Sequence, residues 1–73
     1  MIEPEAGYGS PVLQEAAREL QAAAHDAQVA FDCIALGEVD RAHTDAITAR
    51  AAADAAVTAL QAALDEASEA AGP

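Results

Sequence analysis

A heptad pattern of apolar residues runs through the chain and constrains its fold more than any other feature. From position 13 to 34, apolar residues recur at alternating spacings of four and three: Leu13, Ala17, Leu20, Ala24, Ala27, Phe31 and Ile34. A second series continues from position 39 to 70: Val39, Ala42, Ala46, Ala49, Ala53, Ala56, Leu60, Ala63, Ala67 and Ala70. This spacing places each series along one side of an α-helix and is typical of helix–helix seams. We therefore predict two helices that pack together along these two series.

The ends of the helices also carry recognisable signals. Ser10 followed by Pro11 is a favoured start, because serine caps free N–H groups and proline suits the first helical position. Gly37 suits the end of the first helix, since glycine readily adopts positive φ. The single domain then divides into an N-terminal arm (1–9), a first helix with its cap (10–37) and a second helix (38–71). We predict an all-α fold, a helical hairpin of two long antiparallel helices with an alanine-rich, coiled-coil-like seam.

Alanine supplies 23 of the 73 residues, which limits the core that one chain can build. Burying an alanine removes little apolar area from water, so it stabilises a fold less than burying leucine or phenylalanine does. A domain of this size is marginal even with a normal core. Cys33 is the single cysteine, so the chain cannot form an internal disulfide. We therefore expect the hairpin to complete a bundle by oligomerisation or by docking on a partner.

A cluster of large apolar residues near the turn predicts where a partner binds. Val29, Cys33 and Leu36 recur at helical spacing and, in the heptad assignment above, lie on the side facing away from the second helix. Ile47 lies near the same end, and the N-terminal arm adds two further apolar side chains. The candidate interface with a protein partner comprises Ile2, Tyr8, Val29, Cys33, Leu36 and Ile47. Alternatively, the N-terminal arm folds back and covers this patch within the same chain.

The sequence carries no recognisable catalytic or metal-binding motif. Cys33, His43 and Asp32 lie near the turn, but a zinc site needs at least three ligands on one side, and Cys33 falls among apolar residues. Asp40 and His43 resemble one half of a di-metal motif that requires two such pairs. Glycine-rich phosphate-binding loops are also missing. We predict a protein that is not an enzyme and that binds no cofactor and no metal.

The net charge of −10, with 13 acidic residues against three basic ones, restricts the class of partner. Nucleic-acid binding requires a basic surface, and anionic membranes attract basic segments. No apolar stretch is long enough and free enough of charge to cross a bilayer. The first residues do not resemble a secretory signal. We therefore expect protein partners, a second copy of the chain among them, no nucleic acid and no membrane, and a location in the cytoplasm or within a virus particle.

The segment GEVDRAHTDAI resembles the inter-helix turn of a tetratricopeptide repeat. In that resemblance Gly37 would end the first helix and Ala42 would pack at the start of the second. The resemblance covers only this short segment, both helices are about twice as long as those of the repeat, and the chain lacks its ~34-residue period. It therefore implies a tight helical turn and no particular activity.

Two classes of function remain open. The first is a structural or assembly subunit that packs its hairpin against itself or against a larger complex. The specific form of this hypothesis is a component of a phage virion. The alanine-rich composition without lysine is typical of GC-rich coding, which indicates the source and not the function. The alternative is an acidic regulatory binder, such as an inhibitor or an antitoxin-like protein, that blocks a basic surface of its partner. The acidic residues follow both helices without gathering in one cluster, which favours the first class.

Overall fold

A computed structural model describes residues 10–72 of the chain. Within this range it contains two α-helices, α1 (Pro11–Ala35) and α2 (Val39–Ala71), which run antiparallel and contact each other extensively. The helices account for nearly all of the described residues, and no strand occurs among them. The described part of the chain is therefore an all-α helical hairpin, as the sequence predicts.

Ser10 caps the start of α1, which confirms the prediction. Its Oγ accepts a hydrogen bond from the backbone N–H of Val12 at 3.1 Å, and Pro11 is the first helical residue. The carbonyl oxygen of Ser10 also accepts from the backbone N–H of Gln14 at 3.0 Å. The cap therefore satisfies donors that a helix N-terminus otherwise leaves free.

The connection between the helices is a Schellman motif built around Gly37, which has a φ of +75°. The backbone N–H of Gly37 donates to the carbonyl oxygen of Ile34 at 3.0 Å, and that of Glu38 donates to the carbonyl oxygen of Cys33 at 2.9 Å. These two bonds are the pattern that defines the motif. Because α2 begins only two residues after the glycine, this turn fixes how α2 is rotated relative to α1.

The two helices meet along a seam made mainly of small residues. Most of the buried and half-buried positions on each helix recur at alternating spacings of three and four, and the other half-buried positions flank this series. The seam consists of Val12, Ala16, Glu19, Ala23, Asp26, Ala30 and Cys33 on α1 and of Ala42, Asp45, Ala49, Ala52, Ala56, Ala59 and Ala63 on α2. Alanine allows the two axes to approach to about 8 Å, the lower end of the usual range. The fully buried residues of the described range are five alanines and Cys33, so the core contains no large aliphatic or aromatic side chain.

On α1 the seam lies one residue before the series that the sequence suggests. Phe31 and Ile34 belong to the predicted inner series but are 68% and 67% exposed, whereas Ala30 and Cys33 face α2. The predicted inner face of α1 is therefore wrong by about 100° around the helix axis. The physical reason is steric, because large side chains would hold the axes apart and small ones let the two backbones pack closely.

On α2 the predicted seam is partly correct. Positions at seven-residue intervals lie in the seam as predicted: Ala42, Ala49, Ala56 and Ala63. Elsewhere the seam is again displaced by one residue, since Ala59 is buried and Leu60 is exposed. At Ala30 and Ala59 the displacement places alanine in the seam and leaves a larger neighbour outside. At Asp26 and Asp45 the seam instead holds the larger residue, and an alanine lies outside.

The hairpin is a single layer of helices with two open broad sides. The smallest extent, 12 Å, matches the diameter of one helix. At the end opposite the turn, residues 64–71 of α2 are all exposed because they extend about 12 Å beyond the seam. Most side chains outside the seam therefore remain open to solvent or to a partner.

Candidate interaction surface

One broad side of the hairpin is apolar. In both helices, the residue that follows a seam residue is turned about 100° away from the seam. Because the helices are antiparallel, these following residues lie on the same side of the hairpin. We call this side the apolar face; its large residues are Leu13, Leu20, Phe31 and Ile34 on α1 and Val39, Val57, Leu60 and Leu64 on α2. The turn at Gly37 thus places the large side chains of both helices on one surface.

The apolar face holds most of the large apolar side chains that the described range exposes. Nine such residues are exposed, and all except Leu36 and Ile47 belong to the apolar face. Their exposed fractions run from 39% for Leu60 to 71% for Val39. Single apolar residues are ordinary on a protein surface, whereas a contiguous row along a whole helix marks a surface that binds another molecule.

Small residues separate the large ones on the apolar face. They are Ala17, Ala24 and Ala27 on α1 and Ala46 and Ala53 on α2. Alternation of large and small side chains produces ridges and hollows, into which the side chains of another helix can interdigitate. The relief of the apolar face therefore suits helical partners.

Acidic side chains are missing from the apolar face. No aspartate or glutamate of residues 10–72 occupies a position on it, and its two polar members are His43 and Arg50 on α2. The ion pair between Arg18 and Glu15 lies on the other side of α1. The carboxylates described in the structure thus lie in the seam or elsewhere on the surface, so a partner can cover the apolar face without desolvating them.

One carboxylate of the seam, Glu19, has a shifted titration. A side-chain hydrogen bond with Glu15, desolvation and the negative charge of Glu15 together raise the pKa of Glu19 above its ordinary value of 4.5, and Arg18 partly opposes the shift. Glu19 therefore keeps its proton to a higher pH than an ordinary glutamate. Ionisation of Glu19 at neutral pH places two like charges one helical turn apart at the edge of the seam.

Cys33 faces α2, although the sequence analysis placed it on the outer side of α1. Its side chain is 4% exposed, and its Sγ lies 3.9 Å from Oδ2 of Asp45. Desolvation by burial raises the pKa of the thiol above its usual value of 9.0, and Asp45 adds to the shift while Arg41 opposes it. Burial therefore favours the protonated thiol over the thiolate, which is the form that acts as a nucleophile or metal ligand.

The other described residues of the predicted interface are more exposed than Cys33. Val29 is half-buried beside the seam, on the side away from the apolar face, while Leu36 is exposed next to the turn and Ile47 on the outer side of α2. Val29, Cys33 and Leu36 share one stripe of α1, as their spacing requires, but this stripe borders the seam instead of facing away from α2. Its predicted direction is wrong because the heptad assignment on α1 was displaced by one residue. Ile2 and Tyr8 lie outside the described residues. Contact of Val29, Leu36 and Ile47 with a partner remains a prediction.

A shallow groove of about 560 Å³ lies at the open end of the hairpin, away from the apolar face. Pro11, Val12 and Glu15 line it from α1, and small side chains together with Thr58 line it from α2. Its polar side chains are Glu15 and Thr58. Within residues 10–72, no three His, Cys, Asp or Glu side chains gather into a group that could hold a metal ion.

The sequence contained a signal for the apolar face that the sequence analysis interpreted differently. α1 carries two adjacent heptad series, a mostly small one from Val12 to Cys33 and a wholly apolar one from Leu13 to Ile34. A helix with apolar residues on two adjacent series packs against two neighbours, whereas a strict single series serves one. The hairpin supplies only one neighbour, so the second series indicates a partner.

Neither α1 nor α2 contains a stretch that is long and apolar enough to cross a lipid bilayer. Comparison of the chain with models of known protein families, with curated proteins and with solved structures finds no match. The surface chemistry of the hairpin is therefore the basis for its proposed function.

Proposed function

We propose that this chain is a non-enzymatic assembly subunit that binds protein through its apolar face. The observation that carries the proposal is the exposed heptad series from Leu13 to Ile34, which the hairpin leaves without a neighbour. A wide apolar surface of this kind is costly in water and is retained where a partner covers it.

The free energy available at the apolar face supports this role. Fully burying a valine, leucine, isoleucine or phenylalanine side chain contributes about 1.5–3 kcal/mol. Seven such side chains on the apolar face are 39–71% exposed, so covering them all contributes on the order of 10 kcal/mol per chain as an upper estimate. That amount is comparable with the total stability of a small domain. The buried residues of the seam are five alanines and Cys33, so much of the stability of the folded chain depends on its partner.

The charge of the remaining surface favours protein over other partners. Nucleic acid binds basic surfaces, whereas this chain carries three basic and 13 acidic residues. Helices that lie on membranes carry lysine and arginine on their polar side, and here that side carries carboxylates. Within this class of function we favour a subunit of a larger particle, such as a phage virion. A hairpin whose core contains few large side chains is stabilised most when neighbours cover it permanently.

The size of the native complex in an extract from the source tests this proposal. We expect the wild-type chain to elute within an assembly much larger than its own 7.3 kDa. Phe31→Glu places a charge on the apolar face and shifts the chain toward its monomeric size. The matched control Leu36→Glu changes an exposed residue at the same end but off the apolar face, and the assembly persists. A wild-type chain that elutes as a monomer would refute the proposal.

The charge distribution supports a second candidate, an acidic regulatory binder. The surface away from the apolar face carries carboxylates that include Glu15, Asp32 and Glu69, and a basic partner could bind there. Such a complex weakens steeply as salt concentration rises, whereas burial of the apolar face is little affected or strengthened by salt. Measuring the salt dependence of complex formation therefore distinguishes the two functions.

A further inference from the structure

We infer that the partner on the apolar face is a second copy of this chain, bound face to face, so that two hairpins form a four-helix bundle. The inference rests on the proposed protein-binding function and names the partner. In this arrangement each helix contacts one neighbour of its own chain through the seam and one of the other chain through the apolar face. The two adjacent heptad series of α1 then both have a neighbour.

The size of the apolar face matches a stable dimer interface. The 25 residues of α1 run about 37 Å beside α2, and two adjacent helices are about 20 Å wide. The face therefore covers roughly 700 Å². Stable protein–protein interfaces bury about 800 Å² per partner. A second hairpin of the same length and width covers the apolar face from end to end.

The charges also favour a second copy over a basic partner. Two chains that each carry a net charge of −10 repel one another, and a contact surface without carboxylates, such as the apolar face, keeps this repulsion weakest. A basic partner would find no acidic group there to pair with. Arg50 lies at the outer edge of the face, where its stem can follow the apolar surface while the guanidinium group stays in water.

A second copy also supplies more apolar surface than the N-terminal segment 1–9. The segment contains Met1, Ile2 and Tyr8 as its large apolar residues, whereas the apolar face of a second copy contains eight. Because the hydrophobic contribution scales with the apolar area removed from water, the second copy stabilises the face more.

Sedimentation velocity of the purified full chain, from micromolar to millimolar concentration, tests the inference. We expect twice the monomer mass of 7.3 kDa at the upper concentrations. Phe31→Glu raises the dimer Kd by about 100-fold or more, because the symmetric contact places the new charge in the interface twice. Leu36→Glu, which lies off the face, changes the Kd by less than about threefold.

A second measurement covers the case in which Phe31→Glu unfolds when it loses its partner. The thermal midpoint of a protein that folds as a dimer rises with concentration, whereas that of a monomer does not. We therefore expect the Tm of the wild-type chain and of Leu36→Glu to rise across the same concentration range. This measurement does not depend on the fold of the Phe31→Glu variant.

Three outcomes would overturn the inference. The first is a purified wild-type chain that stays monomeric with a concentration-independent Tm. If the chain still elutes in a large assembly from the source, the proposed function survives and only the inferred self-association fails. The second is a dimer that Leu36→Glu disrupts and Phe31→Glu leaves intact. The third is a monomer that floats with phosphatidylcholine vesicles, which would assign the apolar face to a lipid surface.

Discussion

The seam and the apolar face lie next to each other on both helices, yet they differ in the size and in the exposure of their side chains. On α1 the seam includes Ala16, Ala30 and Cys33, which are buried against α2. Phe31 directly follows Ala30, and Ile34 directly follows Cys33. Both of these larger side chains are about two-thirds exposed. The surface with little apolar bulk is therefore buried within the chain, and the surface with much apolar bulk is left open.

This difference indicates that the two surfaces have different roles. Small residues in the seam control distance, because they let two backbones approach closely. Large residues on the apolar face supply binding free energy, because the hydrophobic contribution scales with the area removed from water. In the proposed function, the hairpin presents its strongest apolar surface to a partner.

Enlarging a seam residue gives the largest effect. Ala56 is 1% exposed, so Ala56→Leu forces three extra carbon atoms between two closely packed backbones and lowers the free energy of unfolding by about 3 kcal/mol. The matched control Ala51→Leu changes an exposed alanine of the same helix and has an effect below about 0.5 kcal/mol. Urea denaturation followed by circular dichroism at one fixed concentration measures both. Equal stabilities would show that the seam is loosely packed and would remove the contrast between the two surfaces.

A change in the turn tests whether the turn fixes the rotation of α2, and with it which side chains face α1. Gly37 has a φ of +75°, and a Cβ added there meets no atom within 4 Å, so Gly37→Ala costs only backbone strain, about 1 kcal/mol. We expect a lower Tm with the same helix content. Gly37→Asn serves as the control, because asparagine tolerates positive φ and loses less stability. A Tm for Gly37→Ala equal to that of the wild type would mean that the turn does not fix the rotation of α2.

The smallest effect is expected at a polar position of the seam. Because the pKa of Glu19 is raised in the fold, its protonated form contributes stability that is present below pH 4.5 and is lost as pH rises through the raised pKa. Glu19→Gln stays neutral, so its Tm should exceed that of the wild type slightly at pH 7 and match it below pH 4.5. Glu69→Gln, in the exposed end of α2, controls for the general loss of one negative charge. A difference that does not depend on pH would contradict the assigned cause.

The sequence predicts the elements of this fold well because their ends depend on local chemistry. Ser10 and Pro11 specify the start of α1 through a cap that involves only neighbouring residues. Gly37 specifies the turn because it adopts a φ that other residues avoid. Two heptad series then require two antiparallel helices, since the connection between them is too short for any other arrangement.

The rotation of the helices about their axes was harder to predict because it depends on packing between distant residues. Periodicity alone gives equal support to the series that contains Ala30 and to the one that contains Phe31, and a preference for large core residues selects the second. The structure selects the first, because the matching residues of α2, such as Ala42 and Ala56, are small enough for close approach. The same error moved Cys33 to the wrong side of α1 and hid the apolar face.

An alanine seam has one more consequence, for the sliding of one helix along the other. Methyl groups that repeat every three or four residues present nearly the same profile after a shift of one heptad, about 10 Å along the axis. Interlocking of large side chains would resist such a shift, but the seam contains none. The covalent link through Gly37 is therefore what aligns the two helices lengthwise, and the same two helices supplied as separate peptides would pair in several alignments.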